Sequence, residues 1–435
     1  MAVGTLESKS ASRTRLDYLM AAGALTLVAI AIAVPLINKS LHRRNHASTA
    51  PIFGEWHPHV GWGTVPALAI AAAVVWWGPD LAQRLSWRRL VAVTWLGNLA
   101  WTVSLVLVDS SLRGFGDPLT DKNEYLHDIP RISSIGEAVR DFSSRILDFQ
   151  PDSWTTHVSG HPPGAFLTFV ALDRLGLSGG TWAGLFVVIT GSSAVVAVML
   201  TIRVLGDADW ARRTAPFLAL APIAVWVGTS ADGWFMCVTA WGIALLAIAA
   251  TTSNLAAGFA SGLLLGFGVY LNYGLLLMGV PAVAVLWAAR NWRPLVPALV
   301  GAVLVAAAFT LSGFWWLDGM HLVVQRYYQG IASERQFGYW VWANLAATVC
   351  AVGLATVAGL HRVRPQGAGM LPIGGLVAIL AADLSALSKA ETERIWLSFT
   401  IWLLAAAALL PQARRWLVVQ AAGALLINHV ILTNW

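Results

Sequence analysis

Long apolar runs alternate with short polar breaks along this chain, and few of the runs carry a charge. Stretches of roughly 17–25 apolar residues, the length an α-helix needs to cross a bilayer, recur from end to end. The pattern predicts about thirteen spans, near 17–37, 64–78, 90–108, 181–203, 214–230, 232–250, 257–271, 274–289, 294–313, 341–360, 367–386, 395–410 and 416–433. Residues 163–177 stand apart. They open on Pro162-Pro163, contain Asp173 and Arg174, and end at Ser178-Gly179-Gly180. That reads as a re-entrant or broken helix, since irregular backbone at membrane depth survives only against protein or a wet cavity. The other reading is a full crossing.

Composition sharpens this picture. The chain is 57% hydrophobic and 11% charged, against about 25% charged in soluble domains, so an ordinary soluble fold is excluded. The net charge of +6 reads as membrane topology rather than affinity for nucleic acid. Arginines gather in short breaks: Arg13/Arg15, Arg84/Arg88/Arg89, Arg203/Arg212/Arg213, Arg290/Arg293, Arg362/Arg364 and Arg414/Arg415. If 163–177 does not cross, all six clusters fall on one side, which the positive-inside rule makes cytoplasmic. The first apolar run lacks a clear small-residue cleavage site and reads as an uncleaved span. Cys237 and Cys350 lie inside apolar runs and give neither metal spacing nor a disulfide framework.

The expected fold is therefore an all-α, polytopic transmembrane helical bundle in a plasma membrane, with a cytoplasmic N-terminus. It divides into two leading spans with the N-terminal tail (1–89), a central membrane module (90–280) and a C-terminal module (281–435). The polar excursions 38–62, 109–162, 230–233, 314–340 and 385–394 all land on the extracytoplasmic side. Most of the acids lie there.

The loop 109–162 is too long for a connector and has helical spacing of its own. Ile132, Ile135, Val139, Phe142 and Ile146 recur at three- and four-residue steps, as in an amphipathic helix on the membrane surface. Glu124 and Asp128, four apart, would share a helical face as paired carboxylates, or simply be a solvated face. In "SGHPPG" the prolines suit a helix start, and His161 sits at its positive end, where anions are welcome. Before a later span, "SKAETERIW" sets Glu391 and Arg394, and "QRYYQGIASERQFGYW" adds Arg335 and two tyrosines. Arginine's planar fork matches phosphate oxygens; a helix-end arginine also snorkels. Asp232 abuts an apolar run, where charge is costly and usually functional.

In order, "DKNEYLHD", "HVSGHPPGAFLTFVALDRLGL", "RVLGDADWARRTAPFLALAPIAVWVGTSADGWF" and "GLLLGFGVYLNYGLLL" resemble the polytopic C-type glycosyltransferase superfamily (GT-C). The similarity lies toward its protein mannosyltransferase and aminoarabinose transferase branch and covers roughly residues 90–400. It implies a transferase that moves a sugar from a polyprenyl-phosphate donor to a glycan, lipid or protein acceptor outside the membrane. An acid of the first outer loop then acts on the acceptor. Glu124 matches that place best, with Asp121 and Asp128 as rivals, because the family's Asp-Glu pair is here Asp121-Lys122-Asn123-Glu124. The substrate-binding set implied is His157, His161, Asp232, Tyr273, Arg335, Glu391 and Arg394. Tyr273 stands at or beside a position where relatives carry a lysine, so an arginine would have to hold the phosphate.

The chemistry agrees from below: transfer from a lipid phosphate needs a carboxylate base and cations on the leaving group. No nucleotide-binding signature is visible. The acid-rich loop leaves room for a divalent cation but shows no ligand spacing. The competing reading is a transporter or flippase of a lipid-linked or polar solute, which would set ionisable groups at mid-membrane in broken, repeated helices; the span interiors are nearly free of charge, Asp383 near the end of its span being the main exception.

Overall fold

The computed structural model describes residues 2–108 and 115–433, with side chains from residue 12 onward. Residues 109–114, the start of the long outer loop, lie outside the described residues. The protein is an all-α membrane protein. Among the described residues the one small sheet is a two-stranded ribbon pairing Gly54–Trp56 with Ile431–Thr433.

Among the described residues six helices are long and apolar enough to cross a bilayer: Ser12–Ile37, Thr64–Arg84, Trp87–Val106, Gly180–Val204, Ala231–Thr252 and Gly367–Leu384. Two bent pairs, Leu295–Leu311 with Trp316–Gln329 (74°) and Phe337–Val352 with Leu354–Leu360 (108°), raise the number to eight. That falls short of the thirteen expected. The remaining apolar runs fold as helix too, but in shorter or broken pieces. The run 214–230 breaks between Ala208–Ala219 and Ala224–Val227. Pro222 lacks the amide that would bond Leu218. Side chains satisfy the carbonyls at the break: Asn98 donates to Leu218 (2.9 Å), Trp101 to Ala221 (3.2 Å) and Gln420 to Phe217 (3.0 Å). A break at this depth is tolerable only with such partners.

The arginine clusters do gather at one end of the bundle. Arg362 and His361 both bond Asp17 (2.7 Å each), and Arg212 donates to the carbonyls of Ala82 (2.7 Å) and Leu85 (3.0 Å). Arg203 lies 4.4 Å over the Trp87 ring, and Arg414 meets Asp80 at 2.9 Å. The segment 163–177 begins and ends at the opposite end. Its helix, Pro163–Arg174, has 12 residues, about 18 Å of rise against a ~30 Å hydrocarbon core. Its start packs Gly164 on the Tyr270 carbonyl, and the next helix starts with Gly180 against Gly116 and Thr120 of the outer loop. It is not a full crossing.

The expected surface helix in the outer loop is only partly formed. Its helical part is Ile135–Arg140, capped by Ser134, with a 3-10 turn Ser143–Arg145 beyond. Ile132, Val139, Phe142 and Ile146 are buried, but Ile135 is exposed. The buried set packs inward: Phe142 meets Trp154 and Phe314 at 5.4 and 5.6 Å between ring centres. These residues belong to the protein's main core, which replaces the membrane surface as partner for the apolar face.

Candidate active site

Four segments converge at the end opposite the arginine-rich turns. The outer loop supplies Glu124, the stretch before the re-entrant helix supplies His157, the start of Ala231–Thr252 supplies Asp232, and the 385–394 turn supplies Glu391 and Arg394. The cluster thus draws on both the central and the C-terminal modules.

Arg394 is its centre. It is buried, and its two Nη atoms donate to Asp232 Oδ2 (2.6 Å) and Glu391 Oε2 (3.0 Å). Its Nη2 also lies 3.5 Å from His157 Nε2. The other ring nitrogen of His157, Nδ1, meets Glu124 Oε1 at 2.9 Å. Asp232 is fixed by the Ser230 hydroxyl, which donates to Oδ2 (2.9 Å) and accepts the Asp232 amide (3.2 Å) as the helix N-cap. Arg335, likewise buried, reaches Glu391 Oε1 from behind at 3.4 Å and donates to the Asn45 and Lys389 carbonyls (3.0 and 2.7 Å).

Titration follows from these contacts. Burial lowers the His157 imidazole, but the Glu124 carboxylate more than offsets it and leaves the group above its usual value. At His161 burial outweighs the pull of the Asp232 carboxylate and pushes the group down to about 4, so it stays neutral. Its Nδ1 lies 2.8 Å from the His157 carbonyl and 2.9 Å from the Tyr125 hydroxyl, which ties the histidine stretch to the Glu124 segment. Burial pushes Glu391 up, yet Arg394, Arg335 and His157 together hold it below the ordinary range. Arg394 gains from its three carboxylates and is permanently charged. Three carboxylates thus face two guanidinium groups and one imidazole, a near balance that makes burial tolerable.

The turn that aims Glu391 is conformationally costly. Ala390 and Glu391 both have positive φ (75° and 60°), a region non-glycine residues seldom occupy and that costs of order 1–3 kcal/mol each. Asn344 Oδ1 accepts the Ala390 amide (3.3 Å), and the Lys389 amide donates to the Tyr327 hydroxyl (2.9 Å). Lys389 Nζ donates to the Ala332 and Arg335 carbonyls (2.6 and 3.0 Å). Asn344 also bonds Asp383 (2.8 Å).

Other expected residues stand elsewhere. Glu124 and Asp128 do not act as a pair: Glu124 precedes the four-residue helix Tyr125–Asp128 in an extended conformation, so the two carboxylates diverge. Asp128 is fully buried and holds the loop together, accepting from Arg131 (2.5 Å) and from the Thr155 amide (2.8 Å). Asp121 is exposed and caps its own turn through the Asn123 amide (2.8 Å). Tyr273 is buried against Trp316, 5.5 Å between ring centres, outside the ion-pair cluster. Sequence reasoning missed Ser230, Tyr125 and Asn344. Ser230 was legible as a cap before Asp232, and Asn344 as a lone amide in the apolar run "FGYWVWANLAATV". Among the described residues no group of three His, Cys, Asp or Glu is disposed to hold a metal ion; the guanidinium of Arg394 lies between Asp232 and Glu391.

These features define a helical membrane protein with a buried acid–histidine–arginine cluster at one end. No protein-family model and no curated protein matches the chain. Among solved structures it is similar to an oligosaccharyltransferase of Archaeoglobus fulgidus, crystallised with zinc and sulfate, at 16% identity and a TM-score of 0.44. The match covers 78% of this chain and 51% of that one, so the chain spans about half the length of that protein.

Proposed function

We propose that the protein is a membrane glycosyltransferase of the GT-C type. It would move a sugar from a polyprenyl-phosphate donor to a glycan, lipid or protein acceptor on the extracytoplasmic face of the plasma membrane. The arginine-rich end would face the cytoplasm, in keeping with the positive-inside rule. One observation carries the reading: a carboxylate–histidine pair, Glu124 with His157 (2.9 Å), lies beside a buried arginine that bridges two further acids. A transferase using a lipid-phosphate donor needs those two halves, a base for the acceptor and a cation for the leaving group.

In this mechanism Glu124 takes the proton of the acceptor nucleophile as that nucleophile bonds the anomeric carbon. The carbon–oxygen bond to phosphate breaks and its electron pair stays on the lipid phosphate, stabilised by Arg394. His157 orients Glu124 through the 2.9 Å contact of its Nδ1. Asp232 and Ser230 fix Arg394, and Arg335 holds Glu391 from behind. A transporter is less well supported, because the charged groups gather at one end of the bundle rather than in paired broken helices at mid-depth.

Glu124→Gln, with expression confirmed, is expected to lower sugar transfer in membranes supplied with a polyprenyl-phosphate donor by about 10²–10⁴-fold, the usual size of a general-base contribution. Turnover near that of the unmodified chain would remove Glu124 from the role of base.

A further inference from the structure

The short helix Lys39–Asn45 carries a charge pattern that the site does not use. It follows the first span after a break at Asn38, whose side chain accepts the Leu41 amide (3.1 Å) as N-cap. Leu41 and Asn45, four residues apart, are both buried and turn one face of the helix inward. Lys39, Arg43 and Arg44 are exposed, with half-buried His42 beside them. None of those three cations makes an ion pair among the described residues. The nearby acids are otherwise placed. Glu334 bonds His46 (2.9 Å), and Glu55 stands on the ribbon opposite Leu432.

Depth in the bilayer can be read from the neighbours. Just before the helix, Leu36 and Ile37 are 64% and 83% exposed, as lipid-facing residues at a span's end would be. The ribbon's first strand ends on exposed Trp56 and exposed Trp62 follows it, and exposed tryptophans favour the headgroup level. The helix lies at the same end as the cluster, since Arg335 donates to the Asn45 carbonyl (3.0 Å) and the Phe53 amide donates to Glu393 (2.7 Å). This is the end opposite the arginine-rich turns, where the positive-inside bias leaves basic groups least expected.

We infer that Lys39, Arg43 and Arg44 form a docking surface for the phosphodiester headgroup of an anionic phospholipid in the leaflet that the site faces. Charge complementarity at headgroup depth selects this occupant. Each basic residue near an anionic surface contributes roughly a fivefold enrichment, so three give at most about 100-fold over a zwitterionic lipid. The surface is independent of the transfer chemistry.

The test uses the full chain, reconstituted with equimolar phosphatidylglycerol and phosphatidylcholine and then exchanged into mild detergent. Native mass spectrometry reads which lipids stay bound. The unmodified chain is expected to retain phosphatidylglycerol in preference, and the preference should fall as sodium chloride rises. Neutralisation by K39Q/R43Q/R44Q should bring it close to parity, while the charge-keeping set K39R/R43K/R44K should restore it. If the triple variant does not fold, Arg43→Gln alone should lower the preference by roughly fivefold. Equal retention in the neutralised and unmodified chains overturns the inference. So does displacement of the lipid by inorganic phosphate at an ionic strength where chloride leaves it bound, because that marks a site for a free anion.

Discussion

Arg394 cannot grip a phosphate while both its faces are committed to carboxylates, and the geometry says which one must leave. Asp232 holds at 2.6 Å, is only 3% exposed and has Ser230 in support. Glu391 holds at 3.0 Å, its side chain is 17% exposed, and its second contact, to Arg335, is a long 3.4 Å. Under the proposed transfer, Glu391 is therefore the exchangeable partner, with which an incoming phosphate would compete for Arg394. Glu391→Gln keeps the shape and one acceptor oxygen but removes the charge. Hydrogen bonds to charged groups contribute about 1.5–3 kcal/mol against about 1 for neutral ones. The partial exposure of Glu391 points to the lower end, so the variant weakens the competing contact by about 0.5 kcal/mol. Donor affinity should then rise about twofold. The assay is the KM for the polyprenyl-phosphate donor in reconstituted membranes, alongside direct binding of the product lipid phosphate. A KM that is unchanged or higher, with folding intact, refutes the competition and leaves Glu391 as a part of the site that must stay charged.

Three further outcomes follow from the contacts. His157 titrates above its usual value when folded, so its pairing with Glu124 stabilises the protein fully below the unfolded pKa near 6.5. That contribution is lost as pH rises through the folded value. The stability lost in His157→Gln, read as a drop in Tm, should accordingly be largest below pH ~6.5 and shrink on the alkaline side; a pH-independent drop speaks against the pair. Asp128→Asn removes charge from a fully buried carboxylate whose partner Arg131 is partly exposed, so about 2 kcal/mol of stability should go. Hydrogen exchange should then quicken at the Thr155–His157 amides. Gly164→Val places a side chain where even a Cβ would stand 2.5 Å from the Tyr270 carbonyl, and overpacking of this kind costs about 1–3 kcal/mol. It should move the re-entrant helix together with His161, lowering activity along with Tm, while Gly160→Ala, which meets nothing within 4 Å, should leave the unfolding free energy within about 1 kcal/mol of its original value.

What could be read from the chain alone divides along a physical line. Charge in an apolar run is expensive wherever the run ends up, so Asp232, Glu391, Arg394 and Asp383 stood out without any knowledge of packing, and all four are bonded to one another or to buried amides. The sidedness of the arginine clusters was legible for the same reason, and it required 163–177 to return to the end where it began. The count of crossings was not, because hydropathy measures how apolar a run is and not where a proline such as Pro222 interrupts it. Inside the outer loop, spacing also misled. A four-residue interval puts two carboxylates on one face only if both residues are helical, and the helix here starts one residue after Glu124. Four of the loop's five apolar positions turn inward and Ile135 does not, and the partners of the buried set include Trp154 and Phe314 rather than lipid. Neither contact leaves a periodic trace. A lone polar residue in an apolar run is thus a stronger guide to a buried site than any interval between acids in a loop, since the cost of burying it exists before the fold assigns it a partner.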